Sequence, residues 1–262
     1  MLELYHWEPN QSHLKPLIAL AEKGITFESR YVDIGTLQHL RGDPPFEPSL
    51  ETRYNWDGEG PILIHDGKQI TEALLMIEYL EDAFSGQSPL RPADPFGFDM
   101  ILAWQRFINE RFMPAMSLLG CHKFLAPRLK DSDFPQTRLD PITLSYTREG
   151  WQRAFENDYP TDLLEQAGQT VGRSLDRIEG ALEQGDWLVG DAYSLADIDA
   201  FATARSIPVM DCSWSALDGY PRTADWMRRI ETRDAVRKAL SYGRSADART
   251  AFAPGPEIAR WG

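Results

Sequence analysis

Apolar and polar positions alternate at the start of the chain, and Leu2–Tyr5 reads as a short strand. After a polar turn, apolar residues recur at Leu14, Leu17, Ile18 and Ala21, the spacing of a helix over Ser12–Lys23 with Gly24 to end it. Ile25–Val32 returns to strand-like sequence, so the first thirty residues form a β-α-β unit. Residues 34–60 are rich in Gly, Pro and Asp, without clear periodicity and with room for one short helix. Two strand-like runs, Pro61–His65 and Lys68–Thr71, flank Asp66-Gly67, the dipeptide of a tight hairpin. The stripe Ala73, Ile77, Leu80 and Phe84 then predicts a helix with one buried face.

Beyond this point the period changes. Ser85–Pro95 reads as a linker, and Phe96–Phe124, Thr161–Gln184, Ser194–Ile207 and Tyr220–Ser241 all carry helical spacing. Residues 128–150 are polar and Pro-containing, which predicts a long loop, and Ala251–Gly262 reads as a loose tail. The expected architecture is an α/β domain over residues 1–84, a linker over 85–95 and an all-helical domain over 96–262. Tyr193-Ser194-Leu195-Ala196-Asp197 is a variant capping box, a folding signal rather than an active site.

Composition narrows the function classes. The 262 residues carry a net charge of −13, which repels phosphate backbones and anionic lipid and argues against nucleic-acid or membrane partners. The acid is uneven: residues 1–84 hold 15 acidic and 6 basic side chains, and the longer remainder 25 and 21. Two cysteines, Cys121 and Cys212, give no disulfide framework, and no basic region followed by an apolar stretch opens the chain, so a soluble cytoplasmic protein is expected. The five histidines show no metal-ligand spacing, and there is no phosphate-binding or hydrolase glycine motif, so no metal is expected.

Three places carry candidate chemistry, each with a structural alternative. The turn Glu8–His13 runs into a helix start, where free N–H groups and the helix dipole favour an anion; Ser12 there is either an N-cap or a catalytic hydroxyl. Gly60-Pro61 opens a strand, as an ordinary trans turn or as a cis peptide that presents Gly60's main chain to a ligand. Glu72 begins a helix, stabilised by the dipole or accepting hydrogen bonds from a ligand ammonium. The aromatic run Trp104, Phe107 and Phe112 is core or pocket wall, with core the commoner case.

Taken together these segments resemble the glutathione S-transferase superfamily. Asn55-Trp56-Asp57-Gly58-Glu59-Gly60-Pro61-Ile62-Leu63 follows the family's Asn-Pro-x-Gly-x-Val-Pro-x-Leu pattern, and Glu72-Ala73 through Tyr79-Leu80 its Glu-Ser…Tyr-Leu block. Within the superfamily, His13–Leu17, Leu90–Phe96 and Tyr193–Ile198 look most like the bacterial lignin β-etherases. The resemblance implies a thioredoxin-like domain (β-α-β-α-β-β-α) followed by a helical bundle, glutathione as cosubstrate, a lignin-derived β-aryl ether with an α-ketone as substrate, and a dimer of like or unlike chains. By position it places Ser12 and Asn10 at the glutathione thiolate, with His13 the candidate after a one-residue slip. His39, Arg53, Gly60, Pro61, Glu72 and Ala73 fall around the tripeptide, and Trp7, His13, Trp104, Phe107, Ile108 and Phe112 around the aromatic substrate. Ala73, Trp56 and Gly60 depart from the family's Ser, Pro and Val, and Ala73 removes one hydrogen bond to the γ-glutamyl carboxylate. The alternatives are a transferase for other electrophiles, or a structural subunit whose partner does the chemistry.

Overall fold

The computed structural model describes residues 1–36, 60–130, 139, 140, 142 and 145–254. Four strands, β1 (Leu2–His6), β2 (Glu28–Tyr31), β3 (Ile62–His65) and β4 (Lys68–Ile70), form one sheet in the order β2-β1-β3-β4. β1 runs parallel to β2 and antiparallel to β3, while β3 and β4 close the hairpin expected at Asp66-Gly67. The parallel β1–β2 pair needs a crossover, and helix α1 (Gln11–Glu22) supplies it. With α2 (Ala73–Ala83) after β4, this is the thioredoxin-like half of the fold.

α1 ends as its glycine predicts. Gly24 takes φ +64°, its N–H donates to the Ala21 carbonyl (3.1 Å) and that of Ile25 to Leu20 (2.9 Å), the pair of bonds of a Schellman motif. From Gln11 to Leu20 every residue except Ser12 is buried. Such a helix is covered on all sides: it packs against α2 and against α8 and α10 of the helical half.

That second half contains α3 (Pro95–Phe107), α4 (Met113–Gly120), α5 (Ala126–Lys130), α6 (Ser145–Glu156), α7 (Thr161–Ala181), α8 (Leu195–Ala204), α9 (Pro221–Glu231) and α10 (Asp234–Leu240). α3, α4 and α5 are one continuous path joined by two π-helical turns, Ile108–Phe112 and Cys121–Leu125, where the expectation was a uniform helix. Two further expectations are corrected. The loop predicted over 128–150 contains the start of α6, whose short apolar face buries Trp151 and Ala154. The tail is not loose at its start, because Phe252 is 1% exposed and stacks on Phe124. A Cβ at Gly120 would lie 2.3 Å from the Phe252 ring, so the tail docks only over a glycine.

The capping box forms as expected and does more than cap. Asp197 Oδ2 accepts from the Ser194 N–H (2.9 Å) and hydroxyl (3.0 Å), and Oδ1 from the Leu188 N–H (3.0 Å) and Trp226 Nε1 (2.9 Å). Burial pushes the Asp197 carboxyl up, and these four bonds pull against that rise. Removing the carboxylate strands three buried donors, the two N–H groups and the indole. Asp197→Ala should therefore cost roughly 3 kcal/mol or more in urea unfolding; a loss within experimental error would show that the hub is not holding the helical half together.

Candidate active site

The turn after β1 delivers α1 to a cavity of about 580 Å³ between the two halves of the chain. Trp7, Asn10, Gln11, Ser12 and His13 line one side, Gly60, Glu72 and Ala73 the next, and α3, α4, α6 and the tail segment Ala251–Pro254 the rest. Two helix N-termini, those of α1 and α2, meet here, and neither is capped by the side chain that precedes it. Their first-turn N–H groups and dipoles make a site for anionic groups. The backbone is strained where each of these helices begins: Gln11 has φ +43° and Glu72 φ +64°. Non-glycine residues in that region cluster at ligand sites.

Ser12 is inside the first turn of α1 rather than at its cap, and Asn10 holds the N-cap position. The Ser12 hydroxyl donates to the Met113 sulfur at 3.4 Å. A thioether is a weak acceptor, so the bond holds the hydroxyl in place and yields to a stronger acceptor. Pro16, four residues on, has no N–H to return to the Ser12 carbonyl.

Asn10 is committed elsewhere. Its Nδ2 donates to the Ala251 carbonyl (2.8 Å) and its Oδ1 accepts from Ser206 Oγ (2.8 Å), which pins the start of α1 to the helical half and the tail. His13 Nδ1 accepts from the Trp7 N–H at 3.2 Å, which fixes the neutral ring as the Nε2–H form. The Trp7 and His13 rings stand edge to face, 6.4 Å apart. Gly60-Pro61 is cis, and Gly60 takes φ +73°. Ala73 is the first residue of α2 and reaches the cavity. His39 and Arg53 lie outside the described residues.

The aromatic wall is a correction. Trp104, Phe107, Ile108 and Phe112 do not line the cavity; Trp104, Ile108 and Phe112 are buried in the core, and the Arg177 guanidinium lies over Trp104 and Phe107 at 4.8 and 4.1 Å. They pack towards α7, and the same helical path turns a different stripe to the cavity: Leu102, Gln105, Asn109, Met113 and Ser117. Tyr146 and Thr147 of α6 complete that wall. Sequence reasoning followed the large rings and missed this stripe. Its signal was the uncharged polar residues Gln105 and Asn109 recurring four apart beside the aromatic stripe.

Behind the wall lies a polar cluster that sequence reasoning also missed. Lys15 and Asp199 are both 0% exposed, and Lys15 Nζ is 2.6 Å from Asp199 Oδ1. Asn109 Oδ1 accepts from Lys15 (2.8 Å), and its Nδ2 donates to Asp199 Oδ2 (2.7 Å). Burial pushes the Asp199 carboxyl up, and the neighbouring ammonium and amide offset only part of that rise. On the other side of the cavity Glu78 is raised by burial, against hydrogen bonds from Gln105 and Arg91. Among the described residues no cluster of His, Cys, Asp and Glu could hold a metal ion, and no helix is long and apolar enough to cross a membrane.

The sequence profiles of the glutathione S-transferase N-terminal and C-terminal domains match residues 4–88 and 121–234. Protein LigF of Sphingobium sp. strain SYK-6 is 32% identical over 254 residues, covering 94% of this chain and 95% of LigF. The chain belongs to the glutathione S-transferase family. The family's cosubstrate is glutathione. The crystal structure of the β-etherase LigF superposes with a TM-score of 0.82 at 30% identity, covering 92% of this chain and 99% of LigF. Glutathione S-transferase U19 of Arabidopsis thaliana is 29% identical, covering 88% of this chain and 86% of the plant protein.

The family's valine at position 60 would be a poor fit here. A Cβ on Gly60 meets only ordinary contacts, Ile62 N at 3.4 Å and His13 Cε1 at 3.6 Å, so any penalty comes from φ +73° rather than from crowding. Gly60→Val should cost about 1–3 kcal/mol in thermal or urea melting and weaken glutathione binding in calorimetric titration. A variant as stable as the parent would mean that the segment relaxes to negative φ.

Proposed function

We propose that this glutathione transferase cleaves β-aryl ethers that carry an α-ketone. The thiolate of glutathione attacks the carbon next to the ketone and expels an aryloxide, leaving a glutathione thioether and, after protonation, a phenol. A free thiol of pKa about 8.5 is only a few per cent ionised at neutral pH, so the protein's first task is to favour the anion.

The observation that carries this reading is the state of Ser12. It is the only residue of the α1 segment Gln11–Leu20 that is not buried; its hydroxyl rests on a weak sulfur acceptor, and it sits at a helix start that no side chain caps. An incoming thiolate offers that hydroxyl a charged acceptor, and such bonds are about twice as strong as neutral ones. Asn10, with both ends of its carboxamide engaged, serves this reading as the pin that orients the turn. Gly60's main chain would pair with the cysteinyl unit, and Glu72 and the N–H groups at Ala73 would meet the γ-glutamyl end.

The likeness to LigF over nearly the whole chain supports the ether substrate. The leaving aryloxide and the ketone both need a large, partly apolar cleft, and the cavity offers Leu102, Met113 and Tyr146 beside the polar Gln105. The dimer and the cytoplasmic setting belong to the same proposal.

Incubation of the purified protein with glutathione and each enantiomer of a model β-aryl ether ketone should release phenol. Ser12→Ala should lower kcat/KM about tenfold or more, with the loss concentrated below the thiol pKa. Turnover of halides or epoxides without phenol release would reassign the protein to other electrophiles. An unchanged rate in Ser12→Ala, with a loss in His13→Gln, would move the thiolate donor to His13.

A further inference from the structure

A fully buried ion pair needs an explanation, because its desolvation cost commonly cancels its attraction and a well-packed apolar pair would stabilise as much. Lys15 and Asp199 form such a pair directly behind the cavity wall. The three N–H bonds of the Lys15 ammonium have three recipients: Asp199 Oδ1 at 2.6 Å, Asn109 Oδ1 at 2.8 Å and Met113 Sδ at 3.6 Å. The Asp199 charge is met by Lys15 and by the Asn109 amide. The third direction of the ammonium faces only a neutral thioether, and that same sulfur receives the Ser12 hydroxyl at 3.4 Å. A single sulfur atom therefore separates the positive end of the pair from the hydroxyl.

We propose that Lys15 is an electrostatic positioning residue for the nucleophile: its ammonium, held by Asp199 and Asn109, biases the position at Ser12 towards an anionic sulfur. This deepens the reading of Ser12 as the thiolate donor and rests on it. With both side chains 0% exposed, a unit charge acts through a low dielectric and is screened little by salt. Among the described residues, the remaining titratable groups around the cavity are His13 on α1, Glu72 and Glu78 on α2, Arg106 and Glu110 on the α3 path, and Tyr146 on α6. Arg106 pairs with Glu110 and is 72% exposed, and Glu78 is answered by Arg91. Lys15, behind the wall, is 0% exposed.

The test needs no glutathione, so its outcome stands apart from the phenol-release and Ser12→Ala turnover assays that decide the parent reading. Ser12→Cys, in a Cys212→Ser background, puts a titratable sulfur at the position itself. Its pKa follows from the pH dependence of iodoacetamide alkylation, read by mass spectrometry on the peptide carrying residue 12. Adding the near-isosteric pair Lys15→Met and Asp199→Asn should raise that pKa by about one unit, a tenfold loss of thiolate near neutrality. Asp199→Asn alone keeps the ammonium and removes its counter-charge, and should lower it. A purely structural pair predicts the same pKa in all three proteins, with only the melting temperature changed, and that result overturns the proposal. If the double variant does not fold, the sign of the shift in Asp199→Asn decides alone.

Discussion

Everything at this site depends on α1 being buried on all sides. The helix must cover the sheet and at the same time receive the helical half, so almost every side chain from Gln11 to Leu20 is in an interior. An enclosed helix has no solvent to satisfy its polar groups, and each of them must find a partner across the domain boundary. Asn10 reaches Ser206 and Ala251, Gln11 receives Ser117, and Lys15 meets Asp199 and Asn109. These contacts fix the helix start relative to α4 and α8, and the cavity is the gap they leave. Ser12 faces that gap, which is why it is available for chemistry when its neighbours are not.

The same constraint explains what was legible in the sequence. Periods of 2 and 3.6 identified the β-α-β start, the hairpin at Asp66-Gly67, α2 and most of the helical half, because apolar positions recur at the spacing of each element. Gly24 and Ser194–Asp197 marked helix ends through local bonds alone. The short helix α6 escaped because its apolar face is only a few residues wide, and the tail escaped because one ring, Phe252, and the Asn10–Ala251 bond dock it.

The site was legible where the chemistry is local to a turn and not where it depends on packing. Ser12, Gly60, Glu72 and Ala73 line one cavity. The aromatic wall failed because ring size signals burial, and burial here points to α7 rather than to the cavity. Lys15 and Asp199 were visible as charges inside apolar runs, Leu14–Leu20 and Leu195–Phe201, but nothing in one sequence pairs two positions so far apart. The uneven acid now has a sharper meaning. The half that carries most of the net negative charge is the half proposed to bind an anionic tripeptide, so local donors and one buried ammonium must outweigh the long-range field.

The most direct test of Ser12 as the thiolate donor is a crystal structure of the protein with glutathione. The cysteinyl sulfur is expected in the cavity within hydrogen-bond reach of Ser12 Oγ, with the hydroxyl turned from Met113 to that sulfur. A sulfur held by another group and remote from Ser12, with the Ser12–Met113 contact intact, would contradict it.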